Sequence, residues 1–333
     1  MRIVLLGPLR SSFVQTDIAE LGRTHTIIPL DTVLGKGLAG LRTLIVLTLK
    51  TLVALVRADA LYCWFADYHT LVPTIAARLM GRRVYVVAGG YDVGYLPEIN
   101  YGARMRSVRW FCTSRTFRYA TKVFPVSEYA LRQLTMLTEG RHAPATVIYN
   151  GVLPEKFPAG IDTDRLPLAI TVSQGDSVTE YLRKGLDRFI RIAALVPEMT
   201  FKIIGPTGPA LERAYRDAEG VGNVEVVPGF VSLHDVIIPN FMEASCYCQL
   251  SYEETFGMAV VESMLCGCIP VTTNGGALPE VTGPTGHRSD IDADLAIAVR
   301  TTLTATLPAR QAARAYAERF HAARRGERLR SAL

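Results

Sequence analysis

The strongest constraint in this sequence is a rhythm. Short runs of apolar, often β-branched residues alternate with longer amphipathic stretches along most of the chain. Such alternation predicts parallel strands joined by crossover helices, hence sheets with helices on both faces. In the first half, strands are expected at Ile3–Leu6, Thr26–Leu30, Ala60–Cys63, Val84–Ala88 and Lys122–Pro125, with helices near 13–22, 37–57, 68–80, 103–120 and 127–138. The rhythm breaks over 146–166, where an Asn-Gly step and three prolines read as a linker. It restarts with strands at Leu168–Ser173, Thr200–Ile204, Val224–Pro228, Cys246–Leu250 and Ile269–Thr272. Helices are expected between them at Gly185–Val196, Pro209–Glu219, 233–243 and 256–266. The expected organisation is a domain over 1–150, a linker over 151–166, a second domain over 167–308, and one amphipathic helix over 309–333 packing back on the first domain.

Composition narrows the classes. The 333 residues suit two domains of ~150 residues, each able to bury a core. Residues 1–150 carry 18 Lys and Arg against 9 Asp and Glu, while residues 151–333 carry 18 against 22. A basic first half implies an acidic substrate, a lipid headgroup surface or nucleic acid as partner, or else an ordinary solvated surface. The pairs Cys246/Cys248 and Cys266/Cys268 lie in apolar runs and are spaced too closely for a structural zinc site, so buried thiols in a reducing cytoplasm are expected. The run after Met1-Arg2 is too short for the core of a secretory signal. The most apolar stretch, Leu44–Val56, contains Lys50 and falls short of the ~20 residues of a membrane span; a core or interfacial helix is expected.

The segment SYEETFGMAVVESMLCGCIPVTTNGGALPEV, residues 251–281, follows a strand and opens a helix. Glu254 falls before the helix and Glu262 two turns inside it. The backbone of Phe256, Gly257 and Met258 would form the first turn, whose free N–H groups and positive dipole end favour an anion. The two carboxylates are placed to accept hydrogen bonds from sugar or ribose hydroxyls. The plainer reading makes Glu254 a helix-terminal charge and Glu262 a surface residue.

These residues resemble the Glu-x7-Glu signature of retaining glycosyltransferases of family 4, which have the GT-B fold. Pro270-Val271, Gly275-Gly276 and Pro279-Glu280-Val281 follow in the family's order. Arg183-Lys184-Gly185, Lys202-Ile203-Ile204-Gly205, and Asn150-Gly151-Val152 with Phe157 resemble further family segments. The resemblance implies an α/β chain of two tandem doubly wound, Rossmann-like domains facing a cleft. It also implies transfer of a sugar, with retention and without a metal or other cofactor, from a nucleotide-sugar donor to a glycan or lipid-linked acceptor. Lys184 would stabilise the departing phosphate, Glu254 would hold the transferred sugar and Glu262 the ribose, with Phe256, Gly257 and Met258 touching sugar and phosphate. The family's usual arginine about ten residues before the lysine is replaced by Ser173 or Gln174, and Arg183 is the candidate substitute.

In the first half, Gly7 after the first strand would let backbone approach a diphosphate, and Arg10 is a further cation candidate. The loop VVAGGYDVG resembles the family's His-Gly-x-Asp loop, with Gly89 at the histidine position and Asp92 retained; Asp92 either contacts the acceptor side or caps the next turn. Asp290, Asp292 and Asp294 lack the Gly and Glu of a calcium loop and are expected to cap a helix. No dinucleotide fingerprint follows the first strand and no P-loop is present. Arg104, Arg106, Arg109, Arg115, Arg118 and Lys122, interleaved with aromatics, suit an anionic membrane surface at the cytoplasmic face better than nucleic acid. Two other readings stay open: an inactive homologue serving as a binding or scaffold subunit, and a GT-B sugar-nucleotide epimerase.

Overall fold

A computed structural model describes every residue except Leu34 and Lys36. The chain divides into two compact units, Met1–Gly151 with Ala322–Leu333, and Val152–His321.

The first unit is built on five parallel strands, β1 (Arg2–Gly7), β2 (Thr26–Asp31), β3 (Ala60–Trp64), β4 (Arg83–Ala88) and β5 (Lys122–Pro125), in the order β2-β1-β3-β4-β5. β1, β3 and β4 are almost wholly apolar because they are covered on both faces; Ile3 to Leu6 and Val84 to Ala88 are buried. Helices Ser12–Gly22, Gly37–Val56, Tyr68–Leu79, Ser107–Tyr119 and Glu128–Thr138 make up the covering layers. Two local signals decide where helices start. Asp67 and Thr70 form a capping box at Tyr68–Leu79, and the Ser127 hydroxyl accepts from the Ala130 amide at 2.9 Å.

The second unit is built on β6 (Leu166–Val172), β7 (Thr200–Ile204), β8 (Val224–Val227), β9 (Ala244–Gln249), β10 (Ile269–Thr272) and β11 (His287–Arg288). All pairs are parallel and the order is β11-β10-β9-β6-β7-β8. β6 and β9 are therefore central neighbours whose onward connections run in opposite directions. The carboxyl ends of such a pair border a crevice, the usual ligand position in doubly wound sheets.

The tail differs from its expected form. It is two helices, Leu307–Ala317 in the second unit and Ala322–Ala332 in the first, separated by a 3-10 turn at Glu318–Phe320. Packing breaks the helix: Phe320 is buried edge-on against Phe256, and its carbonyl accepts from the Val152 amide at 2.8 Å. The stretch read as a linker over 151–166 is likewise not free. Phe157 and Ile161 are buried in the second unit, Arg165 donates to the carbonyls of Phe241 and Cys266 at 2.8 Å, and β6 already begins at Leu166. Turn residues here signal irregular backbone, which can still be packed.

Candidate active site

The site is assembled where β6 and β9 end. After β6 the chain turns through Ser173 to Ser177 and enters a short helix, Val178–Arg183, capped by the Ser177 hydroxyl on the Glu180 amide at 3.2 Å. Gly185 follows at φ +68°, and a Cβ there would lie 2.0 Å from the Leu250 carbonyl oxygen. Only glycine tolerates both the left-handed backbone and that approach. Gly185 thus presses the Arg183-Lys184 step against the loop leaving β9, where the Tyr252 amide donates to the Arg183 carbonyl at 3.0 Å.

That loop carries Glu254, buried at 8% exposure. The Lys184 ammonium donates to its carboxylate at 2.5 Å, and the Arg183 guanidinium stands 3.9 Å away. Arg183 is otherwise occupied. It forms two bonds to Glu180, at 2.5 and 2.9 Å, and donates to the Glu253 carbonyl at 2.8 Å. Burial pushes the Glu180 carboxyl up, but the Arg183 guanidinium more than reverses this and holds it below its ordinary value. Arg183 thus braces the loop that carries Glu254. Glu180 escaped notice in the sequence because a six-residue helix shows no periodicity; the Glu-x-x-Arg spacing was its one signal.

Gly257, at φ +96°, turns the chain into the helix Met258–Leu265. Among the described residues, the amides of Gly257, Met258 and Ala259 have no hydrogen-bond acceptor, so the helix presents donors at its positive end. A Cβ on Gly257 would rest 3.4 Å from the Glu254 side chain, which puts this turn beside the Lys184–Glu254 pair. Phe256 points away into the core against Phe320, leaving its backbone to the site.

Glu262 lies one turn along the same helix. Its half-buried carboxylate makes no hydrogen bond or ion pair among the described residues, and burial alone pushes it up to about 7. Tyr247 of β9 connects the two glutamates electrostatically. Burial raises its phenol, the charges of Glu254 and Glu262 raise it further, and it donates to Gln249 at 2.7 Å. Lys184, Glu254 and the helix turn thus lie together beyond the end of β9, with Glu262 further along the same helix.

Gln174, near the position of the family's usual arginine, is exposed and donates to the Val231 carbonyl at 3.4 Å. Asp290 accepts from the Asn274 amide and side chain at 3.0 and 2.9 Å, Asp292 pairs with Arg188 and Arg191, and Asp294 accepts from Ser289 at 3.0 Å. The three aspartates are divided among separate partners around the start of helix Asp292–Thr301.

In the first unit, the Asp92 carboxylate is buried and accepts from the amides of Ala66, Gly89 and Gly90 at 3.2, 3.3 and 2.9 Å. It ties together the loops after β3 and β4; burial pushes it up to about 6 against the pull of those amides. A Cβ at Gly89 would come within 2.3 Å of Val126, so the family's histidine has no room. Gly7 ends β1 against the Trp64 and Val14 side chains, and Arg10 is exposed just beyond it.

Over 99–100% of this chain and 98–99% of theirs, three solved structures superpose on it. They are sucrose-phosphate synthase from Thermosynechococcus elongatus (TM-score 0.77, 13% identity), HepE from Anabaena in complex with UDP (0.74, 16%), and an α,α-trehalose-phosphate synthase from Burkholderia xenovorans in complex with glucose-6-phosphate (0.71, 14%). The chain has the GT-B fold. Residues 178–318 of this GT-B chain, which include Lys184, Glu254 and Glu262, match the family described as glycosyl transferases group 1. No curated protein matches the chain by sequence.

Proposed function

We propose that the protein is a retaining glycosyltransferase that moves a sugar from a nucleotide-sugar donor to a glycan or lipid-linked acceptor, without a metal. The observation that carries this reading is the 2.5 Å Lys184–Glu254 pair beside the open first turn of helix Met258–Leu265. A donor diphosphate fits the amide donors of that turn. As the glycosidic bond breaks, charge grows on the phosphate oxygen, and the Lys184 ammonium, with donors beyond the one given to Glu254, is placed to offset it. Glu254 is held too firmly to be a free nucleophile and suits the hydroxyls of the transferred sugar. Glu262 has an unmatched carboxylate, which the ribose hydroxyls would satisfy. HepE bound to UDP and the trehalose-phosphate synthase bound to a sugar phosphate support a donor and acceptor of this general kind.

A second reading has its own observation. Gln174 leaves the end of β6 without the expected cation and Gly89 excludes the histidine, which favours a homologue that binds donor without turnover. One experiment separates the two. The protein is screened by thermal shift against UDP-, GDP- and ADP-sugars, and any stabilising donor is followed for hydrolysis and transfer with anomeric configuration read by NMR. Release of nucleoside diphosphate with retained configuration, unaffected by EDTA, supports the transferase. Stabilisation without release supports the binding subunit, and inversion or loss of activity with EDTA overturns the proposed chemistry.

A further inference from the structure

Three helices of the first unit, Gly37–Val56, Tyr68–Leu79 and Ser107–Tyr119, pack side by side, joined by contacts such as Thr70 to Thr116 at 3.0 Å. None of them contains an Asp or Glu, whereas together they hold Arg42, Lys50, Arg78, Arg109, Arg115 and Arg118. On the longest helix, Gly40, Leu47, Thr51 and Leu55 form the buried stripe. Leu38, Leu41, Ile45, Leu49, Val53 and Val56 recur at three- and four-residue spacing on the opposite side, with Leu38 86% and Val53 73% exposed. Val72, Ile75 and Leu79 continue this outward surface on the second helix, and Val108 and Phe111 on the third. Isolated exposed apolar residues need no explanation, but a row of them across three adjacent helices does.

At the third helix the apolar surface meets a pocket of about 510 Å³ lined by Arg104, Ser107, Trp110, Phe111, Arg115 and Arg118, among others. The Arg104 and Arg115 guanidinium groups lie over Trp110 and Phe111 at 5.7 and 5.4 Å. Glu139, also at its wall, is paired with Arg141, while Arg115 and Arg118 have no ion-pair partner among the described residues.

We propose that this three-helix face lies on an anionic phospholipid bilayer, its apolar stripes entering the acyl boundary and the arginine pocket receiving a lipid phosphate. Charge decides the occupant. A symmetric contact with a second copy would set the same patch against itself, bringing two net-basic surfaces together. Helix Gly37–Val56 is long and apolar enough to cross a membrane by length and composition. It is, however, the connection from β2 to β3 within one parallel sheet, and its buried stripe is packed, so it lies along the surface.

The test is flotation of the full-length protein with vesicles of phosphatidylcholine alone, or of phosphatidylcholine with about one third phosphatidylglycerol. The protein should float with the anionic vesicles and dissociate as salt rises. Replacing Ile45→Asp and Leu49→Asp together should cut vesicle affinity by at least about tenfold, with an unchanged melting temperature because both side chains face solvent. Arg115→Ala with Arg118→Ala should cost about fivefold per charge on anionic vesicles and nothing on neutral ones. Failure of the unaltered protein to float, or equal flotation of the Ile45/Leu49 variant, overturns the proposal. So does a dimer in sedimentation velocity that the same variant disrupts, or binding of inorganic phosphate in the pocket without vesicle binding. None of these readouts requires sugar transfer, so the donor reading can fail independently.

Discussion

Two ion pairs, Arg325–Asp17 in the first unit and Lys184–Glu254 in the second, are built to opposite ends. In the first unit Arg325 is bonded to both oxygens of Asp17 at 2.5 and 2.8 Å and to the carbonyls of Ile148 and Tyr149 at 2.8 and 3.0 Å. Tyr62 adds a 2.7 Å bond to Asp17, and the guanidinium lies 5.1 Å over the Trp64 ring. The side chains are 1% and 0% exposed, so no donor is left for a ligand. In the second unit the Lys184–Glu254 pair is 19% and 10% exposed, and a single bond joins the ammonium to the carboxylate. Lys184 keeps donors in reserve. A saturated pair fastens helix Ala322–Ala332 to helix Ser12–Gly22; an unsaturated pair at a strand end is available for chemistry.

The contrast is broken most forcefully at Arg325. Arg325→Ala strands the Asp17 carboxylate in the core and should lower the unfolding free energy of the first unit by about 3–5 kcal/mol, read by urea denaturation. A loss under about 1 kcal/mol would mean that the pair contributes little. Lys184→Ala should do the reverse: unfolding shifts by no more than about 1 kcal/mol, since solvent reaches the site, while turnover falls at least about tenfold, roughly 1.4 kcal/mol in the barrier, and up to about 4 kcal/mol. Unchanged turnover would remove Lys184 from the phosphate.

A finer version concerns Glu262, which has no pair at all. Its carboxyl is pushed up to about 7 by burial, from an ordinary value near 4.5. Below the ordinary value both folded and unfolded states are protonated and nothing is lost. As pH rises from there through 7, the unfolded chain ionises more readily and stability drains away. Glu262→Gln, neutral throughout, should match the unaltered protein near pH 4 and exceed it by about 1–3 kcal/mol above pH 8. The same variant should weaken nucleotide binding. A pH-independent difference would show that the carboxylate is solvated or paired in solution.

Much of this was legible in the residues. The strands announced themselves because parallel strands covered on both faces are continuous apolar runs, and β1, β4, β7 and β10 lie within a residue or two of their expected limits. Lys184, Glu254 and Glu262 could be named from their motifs. What stayed hidden depends on distant contacts. The Arg183 clamp needs the Glu253 carbonyl, seventy residues on. The break near Phe320 needs Phe256 beneath it, while the local pattern of alanines and arginines runs on as helix. The crowding of Gly89 needs Val126 from beyond the next strand. Similarly, the apolar face of helix Gly37–Val56 could be read as core or interface until its neighbours were placed.

The smallest expected effect is at Gln174. Its side chain is exposed, its bond to the Val231 carbonyl is long at 3.4 Å, and it opens the loop after β6, the strand next to β9, whose following loop carries Glu254. Gln174→Arg should leave stability within about 0.5 kcal/mol, as surface changes usually do. If the donor diphosphate lies at the turn before Met258, the added guanidinium strengthens the field that Lys184 supplies, and donor affinity or turnover rises by a few fold at low salt and less at high salt. The comparison with the first unit explains why such a gain is available here: a cation can improve a site only where the existing charges are unsaturated. A variant that binds and turns over donor no better at any ionic strength would place the phosphates elsewhere.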